Sequence, residues 1–211
     1  MMIALESASS DPSVALAAPD GTTIAIDGWS SAGRQGSDLL PRLLALLARE
    51  GRELRGATAV AVGIGPGSFT GLRVAMSLAK GLAMALAIPV SGVPSLEAWL
   101  VAEPAADAAV ARAGAREAFL LERGVAQPRI VSSAELGARV EGRRLVAPSE
   151  LAESFQLDQA IPPHRAAAAI ASMALARLAA DPAGDDPALL EPAYLRAPRG
   201  IRPSAEAAPW P

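Results

Sequence analysis

The sequence of 211 residues is long enough to bury a sizeable core, and its formal net charge of −3 argues against a protein that binds nucleic acid by neutralising phosphates. It contains no cysteine and one histidine, His164. Disulfides, cysteine nucleophiles and zinc sites of cysteine or paired histidine are therefore excluded, and a Ser-His-Asp triad would have to use His164. We expect this histidine to be an ordinary residue at the start of a helix.

The N-terminal residues, MMIALESASS, lack the basic and apolar segments of a signal peptide. The longest apolar stretch, residues 74–90, is interrupted by Ser77, Lys80 and Pro89, and we expect it not to span a membrane. The expected location is the cytoplasm.

The first hundred residues predict alternating strands and helices. Three β-type runs at residues 3–7, 13–17 and 22–27 are separated by turns and indicate an antiparallel meander. A helix follows, capped by Ser37 or Asp38. The next elements are a buried strand within residues 56–65, a helix over 70–87, a strand over 88–93 and a helix over 94–103.

This order, βββαβαβα, is the unit of α/β proteins with the actin-like ATPase fold (ASKHA, RNase H-like). We therefore predict an N-terminal actin-like domain over residues 1–103. After Pro104 the pattern weakens to a hairpin around Gly114, a strand, a helix and a strand, and an alanine-rich helix. These elements predict a smaller, abbreviated second domain of the same type over residues 104–196 and an extended proline-rich tail over residues 197–211.

An apolar strand, a glycine-proline loop and a long apolar helix succeed one another in the segment VAVGIGPGSFTGLRVAMSLAKGLA, residues 60–83. The loop fits neither a P-loop nor the Gly-x-Gly-x-x-Gly fingerprint, since Thr70 occupies the third glycine position. A helix start can still hold an anion on its N–H groups. Phosphate binding is thus the lesser alternative to a stiff turn that orients the helix, and its residues would be Gly65, Gly67, Ser68 and Thr70.

The helix after this loop is apolar on nearly every side, apart from Arg73, Ser77 and Lys80. The first predicted helix has the same excess, with six leucines between residues 39 and 47. One face of a sheet cannot cover two such helices all round, so we infer an interface with another subunit; the alternative is a core thickened by the second domain. The predicted interface residues are Leu39, Leu43, Leu47, Arg73, Met76, Ala79, Lys80 and Ala83.

The run GIGPGSFTGLRVAMSLAKGLAMALAIPVSGVPSLEA, residues 63–98, closely resembles the TsaB (YeaZ-like) family, whose bacterial members take part in making threonylcarbamoyladenosine in tRNA. Further similarity is carried by IALESASSDPSVAL near the N-terminus, by SDLLPRLLALL in the first helix and by PAYLR at residues 192–196. The resemblance covers residues 2–122 well and the remainder loosely.

The resemblance implies an accessory subunit with no catalytic residue, metal or cofactor of its own. Family members form dimers through their first two helices and pair with TsaD, the catalytic relative that transfers the threonylcarbamoyl group to the adenosine beside the anticodon; the ATPase TsaE completes the assembly. For this chain the resemblance implies a homodimer when alone, a TsaD-type subunit and a TsaE-type ATPase as partners, and tRNA contacted indirectly through the complex. Whether a nucleotide lies at the partner interface is left open.

Two positions depart from the family pattern. Glu6 stands where the first strand usually ends in aspartate, which makes independent ATP hydrolysis less expected, and Gly36 stands where a histidine is frequent. A glycoprotease-like peptidase and a sugar or acyl kinase are the alternatives from other classes; the kinase would need Glu6 and Asp11 to place magnesium. Supporting tRNA contacts are a further alternative for Arg139, Arg143, Arg144, Arg196, Arg199 and Arg202.

Overall fold

The computed structural model describes residues 1–31 and 37–193 of the chain. Within these residues the strands form two five-stranded sheets, one in each of two lobes. The first sheet contains β1 (Met2–Glu6), β2 (Ser13–Ala17), β3 (Thr23–Gly28), β4 (Ala59–Gly63) and β5 (Val90–Val93). The second contains β6 (Ala108–Arg112), β7 (Glu117–Glu122), β8 (Arg129–Ser132), β9 (Leu145–Val146) and β10 (Ala160–Ile161).

The helices occupy equivalent places in the two halves of the chain. In the first half, α1 (Leu39–Arg49) connects β3 to β4, α2 (Phe69–Leu86) connects β4 to β5, and α3 (Ser95–Ala102) follows β5. In the second half, α4 (Ser133–Val140) connects β8 to β9, α5 (Ser149–Phe155) connects β9 to β10, and α6 (Ala166–Ala180) follows β10. Both halves therefore have the order βββαβαβα.

The strand order repeats as well. The first sheet runs β3-β2-β1-β4-β5 and the second runs β8-β7-β6-β9-β10. In each sheet the first strand pairs antiparallel with the second and parallel with the fourth. The predicted actin-like α/β fold, with a smaller second domain of the same type, is confirmed, whereas the boundary at residue 103 stays a prediction. Neither α5 nor β10 is among the predicted elements, because such short segments carry no clear periodicity.

The first sheet presents two different surfaces because successive residues of a strand point to opposite faces. Ile3 and Leu5 of β1 lie in the apolar core beneath α1 and α2. Met2 and Ala4 lie in the core on the other face, which is built largely from alanines of the strands and of α6. Small side chains on both partners let α6 approach the sheet closely.

The last helix of the second half thus completes the first lobe. α6 packs against β1, β2, β4 and β5 and also against α3, while α3 contacts β6 of the second sheet. A buried cluster that includes Trp99 of α3 and Phe119 of β7 joins the two lobes. α6 therefore covers the face of the first sheet opposite α1 and α2, while Leu72 of α2 shares the joining cluster with residues of the second lobe.

Among the described residues, α2 alone is long and apolar enough to cross a membrane by length and composition. Leu72, Ala75 and Ala79 nevertheless lie buried in the lobe, and α2 packs on β4 and β1. The core helix of a globular domain meets the same criterion.

Candidate functional site

The four residues Gly65–Ser68, called the elbow below, lie in the connection from β4 to α2 and directly precede α2. Gly65 has a φ of +94°, a backbone conformation that favours glycine, and its peptide bond to Pro66 is cis. Ser68 is the N-cap of α2, and its Oγ accepts a hydrogen bond of 3.2 Å from the N–H of Gly71. By contrast, the cap predicted for α1 is Asp38 by position only, since its side chain makes no capping hydrogen bond.

The segment after β1 lies directly against the elbow and the first turn of α2. A side chain at Gly67 would collide with the carbonyl oxygen of Ala8, and one at Gly71 would collide with that of Ser7. The Ser68 N–H donates to the Ala8 carbonyl oxygen at 2.6 Å. Glycine is needed at both positions because the obstacle is backbone, which cannot swing aside as a side chain can.

Ser95, the first residue of α3, holds the other end of the elbow. Its N–H donates to the Gly65 carbonyl oxygen at 2.9 Å, and its Oγ accepts from the Gly65 N–H at 3.0 Å. The Ser95 hydroxyl in turn donates to Oε2 of Glu6 at 2.9 Å. The end of β1, the elbow and the start of α3 are thus joined by one hydrogen-bond network.

Glu6 is completely buried at the end of β1. Its Oε1 accepts from the Ala8 N–H and its Oε2 from Ser95. Burial raises the pKa of the Glu6 carboxyl from its ordinary 4.5 to about 7, and the hydrogen bonds from Ala8 and Ser95 offset only part of that rise. Both carboxylate oxygens are therefore occupied by the protein itself.

The four residues predicted for an anion are divided by the structure. Gly67 and Ser68 line a cleft of about 350 Å³ between the lobes, Gly65 is buried beneath it and Thr70 is exposed. The N–H groups of Ser68 and Gly71 already donate to Ala8 and to the Ser68 hydroxyl. Direct phosphate binding at this helix start stays a prediction.

The second lobe closes the opposite wall of this cleft. Its charged side chains there include Arg112 and Glu150, whose closest polar atoms lie 3.6 Å apart. Arg112 also donates to the Ser154 hydroxyl at 2.8 Å. The guanidinium of Arg112 is thus already engaged by its own lobe.

Six of the eight predicted interface residues lie in the core of the first lobe. They are at most 4% exposed and share one apolar cluster with Ile3 and Val60: Leu39, Leu43, Leu47, Met76, Ala79 and Ala83. A partner cannot contact these side chains while the lobe keeps this core. Arg73 is exposed and Lys80 half-buried on the outer side of α2. The interface stays a prediction, and neighbouring outward residues would have to supply most of its contacts.

Outward apolar residues are present on both helices. Leu40 and Leu44 of α1 are 40% and 44% exposed, and Met84 of α2 is 73% exposed. α2 also exposes the small residues Ser77 and Gly81 to solvent. We name this outer surface of α1 and α2 the docking face, comprising Leu40, Leu44, Arg73, Ser77, Lys80, Gly81 and Met84.

Asp11 has a role that the sequence pattern does not reveal. It lies in the turn between β1 and β2, where it is completely buried and accepts hydrogen bonds from Ser30 and from both the N–H and the hydroxyl of Ser149. His164, just before α6, places its Nε2 at 3.1 Å from Oδ1 of Asp11. Four segments far apart in the sequence meet at this carboxylate, and no local signal could have indicated it.

Some of the remaining predicted residues lie within the described part of the chain and others lie outside it. Arg139 pairs with Glu135 and Arg143 with Glu122, so two of the arginines considered for tRNA are engaged within the second lobe; Arg144 is exposed. Within residues 1–31 and 37–193 no three His, Asp or Glu side chains are grouped to hold a metal ion. Outside those ranges lie Gly36, the proline-rich tail, Arg196, Arg199 and Arg202.

The chain resembles several known proteins. Residues 31–135 match the family model described as TsaD: tRNA N6-adenosine threonylcarbamoyltransferase. An uncharacterized protein of Mycobacterium tuberculosis is 44% identical over 78 residues, 37% of this chain and 35% of that protein. The tRNA threonylcarbamoyladenosine biosynthesis protein TsaB of Escherichia coli is 41% identical over 58 residues, 28% of this chain and 25% of that protein. YeaZ of Pseudomonas aeruginosa matches with a TM-score of 0.65 and 23% identity, over 92% of this chain and 99% of its own.

These matches and the repeated topology define a two-lobed α/β protein of the actin-like class. The sequence matches span about a third or less of the length of these curated relatives, and the structural match to YeaZ extends the shared fold over nearly the whole chain. The predicted resemblance to the TsaB (YeaZ-like) family is thereby confirmed.

Proposed function

We propose that this chain takes part in the biosynthesis of threonylcarbamoyladenosine in tRNA as an accessory subunit. In this proposal it pairs with a TsaD-type catalytic subunit through the docking face and holds that subunit in a competent state. A TsaE-type ATPase joins the assembly, and tRNA meets this chain only through the complex. The proposed location of this biosynthesis is the cytoplasm.

The observation that carries the proposal is the outward apolar surface of α1 and α2. Leu40, Leu44 and Met84 are large apolar side chains that the chain's own lobes leave exposed. Large exposed apolar side chains of this kind are frequent at protein interfaces. The family match, residues 31–135, includes both helices in full.

The arrangement around the chain's one histidine favours an accessory role over peptidase chemistry. In a Ser-His-Asp triad the imidazole stands between the hydroxyl and the carboxylate. Here the Ser149 hydroxyl donates to Oδ1 of Asp11 at 3.3 Å, and Nε2 of His164 lies 3.1 Å from that same oxygen. Asp11, rather than His164, is the centre of the cluster, so the serine has no base aligned with it.

We infer that the chain carries no catalytic residue and holds no cofactor of its own; a nucleotide bound at the junction with the partner is compatible with this role. In the absence of a TsaD-type subunit, the same docking face would pair two copies of this chain as a homodimer. The fraction of chain in each pair would then depend on the relative concentrations of the two proteins.

The proposal is tested by placing a charge on the docking face. Leu44→Glu and Met84→Glu change exposed side chains, so the fold should survive, whereas a buried carboxylate at an interface is strongly unfavourable. We expect each variant to weaken binding to the TsaD-type subunit of the same organism by at least about tenfold in Kd. Binding is measured by calorimetry. Threonylcarbamoyl transfer is measured separately in the reconstituted system.

The matched control is Val125→Glu, since Val125 is 52% exposed in the turn after β7 of the second lobe. Val125→Glu should bind like the unmodified chain. Equal binding by all three variants would contradict the proposal that α1 and α2 form the interface. Full transfer activity in a system that lacks this chain would contradict the accessory role itself.

A further inference from the structure

Glu6 is connected to both ends of the elbow. Through Oε2 it accepts from Ser95, whose Oγ and N–H hold the N–H and carbonyl of Gly65. Through Oε1 it accepts from the Ala8 N–H, and the Ala8 carbonyl oxygen accepts from the N–H of Ser68. One buried carboxylate therefore supports the first and the last residue of the segment from which α2 begins.

Space for this carboxylate is made by a glycine on the neighbouring strand. A side chain at Gly63, the last residue of β4, would collide with Oε2 of Glu6 and approach Ser95 Oγ to 2.6 Å. The glutamate side chain is one methylene longer than aspartate, and it extends into the volume that Gly63 leaves open. Glu6 and Gly63 are thus complementary in size.

We propose that Glu6 is the positioning residue of α2, fixing the elbow through Ser95 at one end and Ala8 at the other. Since α2 carries five of the seven docking-face residues, Glu6 then sets the orientation in which that face meets a partner. This last consequence rests on the proposed function, whereas the fixation of the elbow does not. The position at the end of β1 thereby serves recognition between subunits.

Glu6→Gln and Ser95→Ala separate the two connections. Glutamine keeps the shape of glutamate but offers an NH₂ group in place of one oxygen, and this group cannot accept from Ala8 or Ser95. Ser95→Ala removes the hydroxyl that accepts from the Gly65 N–H and donates to Oε2 of Glu6, and it leaves the Ala8 connection intact. Glu97→Gln is the control, because Glu97 is an exposed acid on the first turn of α3.

The measurement is amide hydrogen exchange of the full isolated chain at about pH 8, above the pKa of Glu6, read residue by residue by NMR. In Ser95→Ala we expect about tenfold faster exchange at Gly65, the equivalent of one lost hydrogen bond, with Ser68 unchanged. In Glu6→Gln we expect acceleration at Gly65, Ser68 or both. The amides of β1 and β4 should keep their protection in both variants.

Unchanged exchange at both ends of the elbow in Glu6→Gln would overturn the inference. So would an equal acceleration throughout β1 and β4, because it would mean that Glu6 supports the lobe in general. The consequence for pairing is measured separately, and Glu6→Gln should weaken partner binding at least about fivefold although every docking-face residue is retained. Unaltered binding by Glu6→Gln would contradict that consequence, while failure of the unmodified chain to bind would contradict only the proposed function.

Discussion

His164 Nε2 lies 3.1 Å from Oδ1 of the completely buried Asp11, and this contact ties the start of α6 to the turn of the first hairpin. The same carboxylate accepts from the N–H of Ser149 at 2.7 Å, at the start of α5. Because α5 belongs to the second lobe, Asp11 links the lobes beside the cleft. A buried carboxylate with several donors is costly to replace, since each donor loses its partner.

Asp11→Ala should therefore destabilise the chain markedly. We expect the free energy of unfolding to fall by about 2 to 4 kcal/mol, because the N–H of Ser149 and the other donors would be left unsatisfied. Ser149→Ala, which keeps the backbone donor, should lose only about 1 kcal/mol. Urea denaturation followed by circular dichroism gives both values.

The control for Asp11 is Asp158→Asn, since Asp158 is exposed in the loop after α5. That change should stay within about 0.5 kcal/mol of the unmodified chain. A loss for Asp11→Ala no larger than the loss for Asp158→Asn would show that the cluster does not hold the lobes together.

The raised pKa of Glu6 predicts a dependence of stability on pH. Between its ordinary pKa of 4.5 and the folded value of about 7, the unfolded chain releases the proton while the folded chain retains it. Stability from this group is thus fully present below pH 4.5 and is lost as the pH rises through about 7. The total loss is on the order of 3 kcal/mol.

Glu6→Gln removes this titration and should flatten the decline in the free energy of unfolding between about pH 5 and pH 8. The quantity to compare is the slope, because the variant also changes hydrogen bonds at every pH. Glu97→Gln, a change to an exposed acid, should keep the slope of the unmodified chain. Identical slopes in all three proteins would mean that Glu6 titrates normally in the fold.

Self-association offers a test of the docking face that needs no partner protein. If the docking face also forms the proposed homodimer, Leu44→Glu should raise its dissociation constant at least about tenfold above that of the unmodified chain. Analytical ultracentrifugation over a range of concentrations measures this shift. Val125→Glu should sediment like the unmodified chain, and a homodimer that withstands Leu44→Glu would place self-association on another surface.

The succession of strands and helices in the first lobe could be predicted because apolar runs of strand or helix length alternate with turn residues such as Asp11, Pro12 and Gly21. Ser68, for example, caps α2 as its sequence position indicates. Which side of α1 and of α2 faces the core and which faces solvent could not be predicted. With apolar residues on nearly every side, nothing local distinguishes Leu43, which is buried, from Leu44, which is exposed. Ala79 is likewise buried, so a charged residue at this position would disrupt the core of the first lobe and would not test the proposed interface.

Contacts between segments that are distant in the sequence could not be predicted for a different reason. The neighbours of Asp11 in the sequence are enough to predict a turn and give no sign of a distant partner. Its hydrogen bonds nevertheless come from residues 30, 149 and 164. The role of Glu6 likewise depends on Ser95, 89 positions away. Such contacts form only once the strands and helices are assembled. Propensity and periodicity indicate the individual elements but not which distant residues come together.

Replacing glycine by alanine should have opposite effects on stability at two positions of α2, Gly71 and Gly81. A side chain at Gly71 would collide with the backbone carbonyl of Ser7, whereas at Gly81 nothing lies within 4 Å. Gly71→Ala should therefore destabilise the chain by about 2 kcal/mol or more and weaken pairing, because α2 must move away from the end of β1. Gly81→Ala should stabilise it by up to about 1 kcal/mol, since alanine is the better helix former. Thermal and urea unfolding of the two variants decide the matter, and a destabilised Gly81→Ala with an unaffected Gly71→Ala would contradict the packing of α2 against the first hairpin.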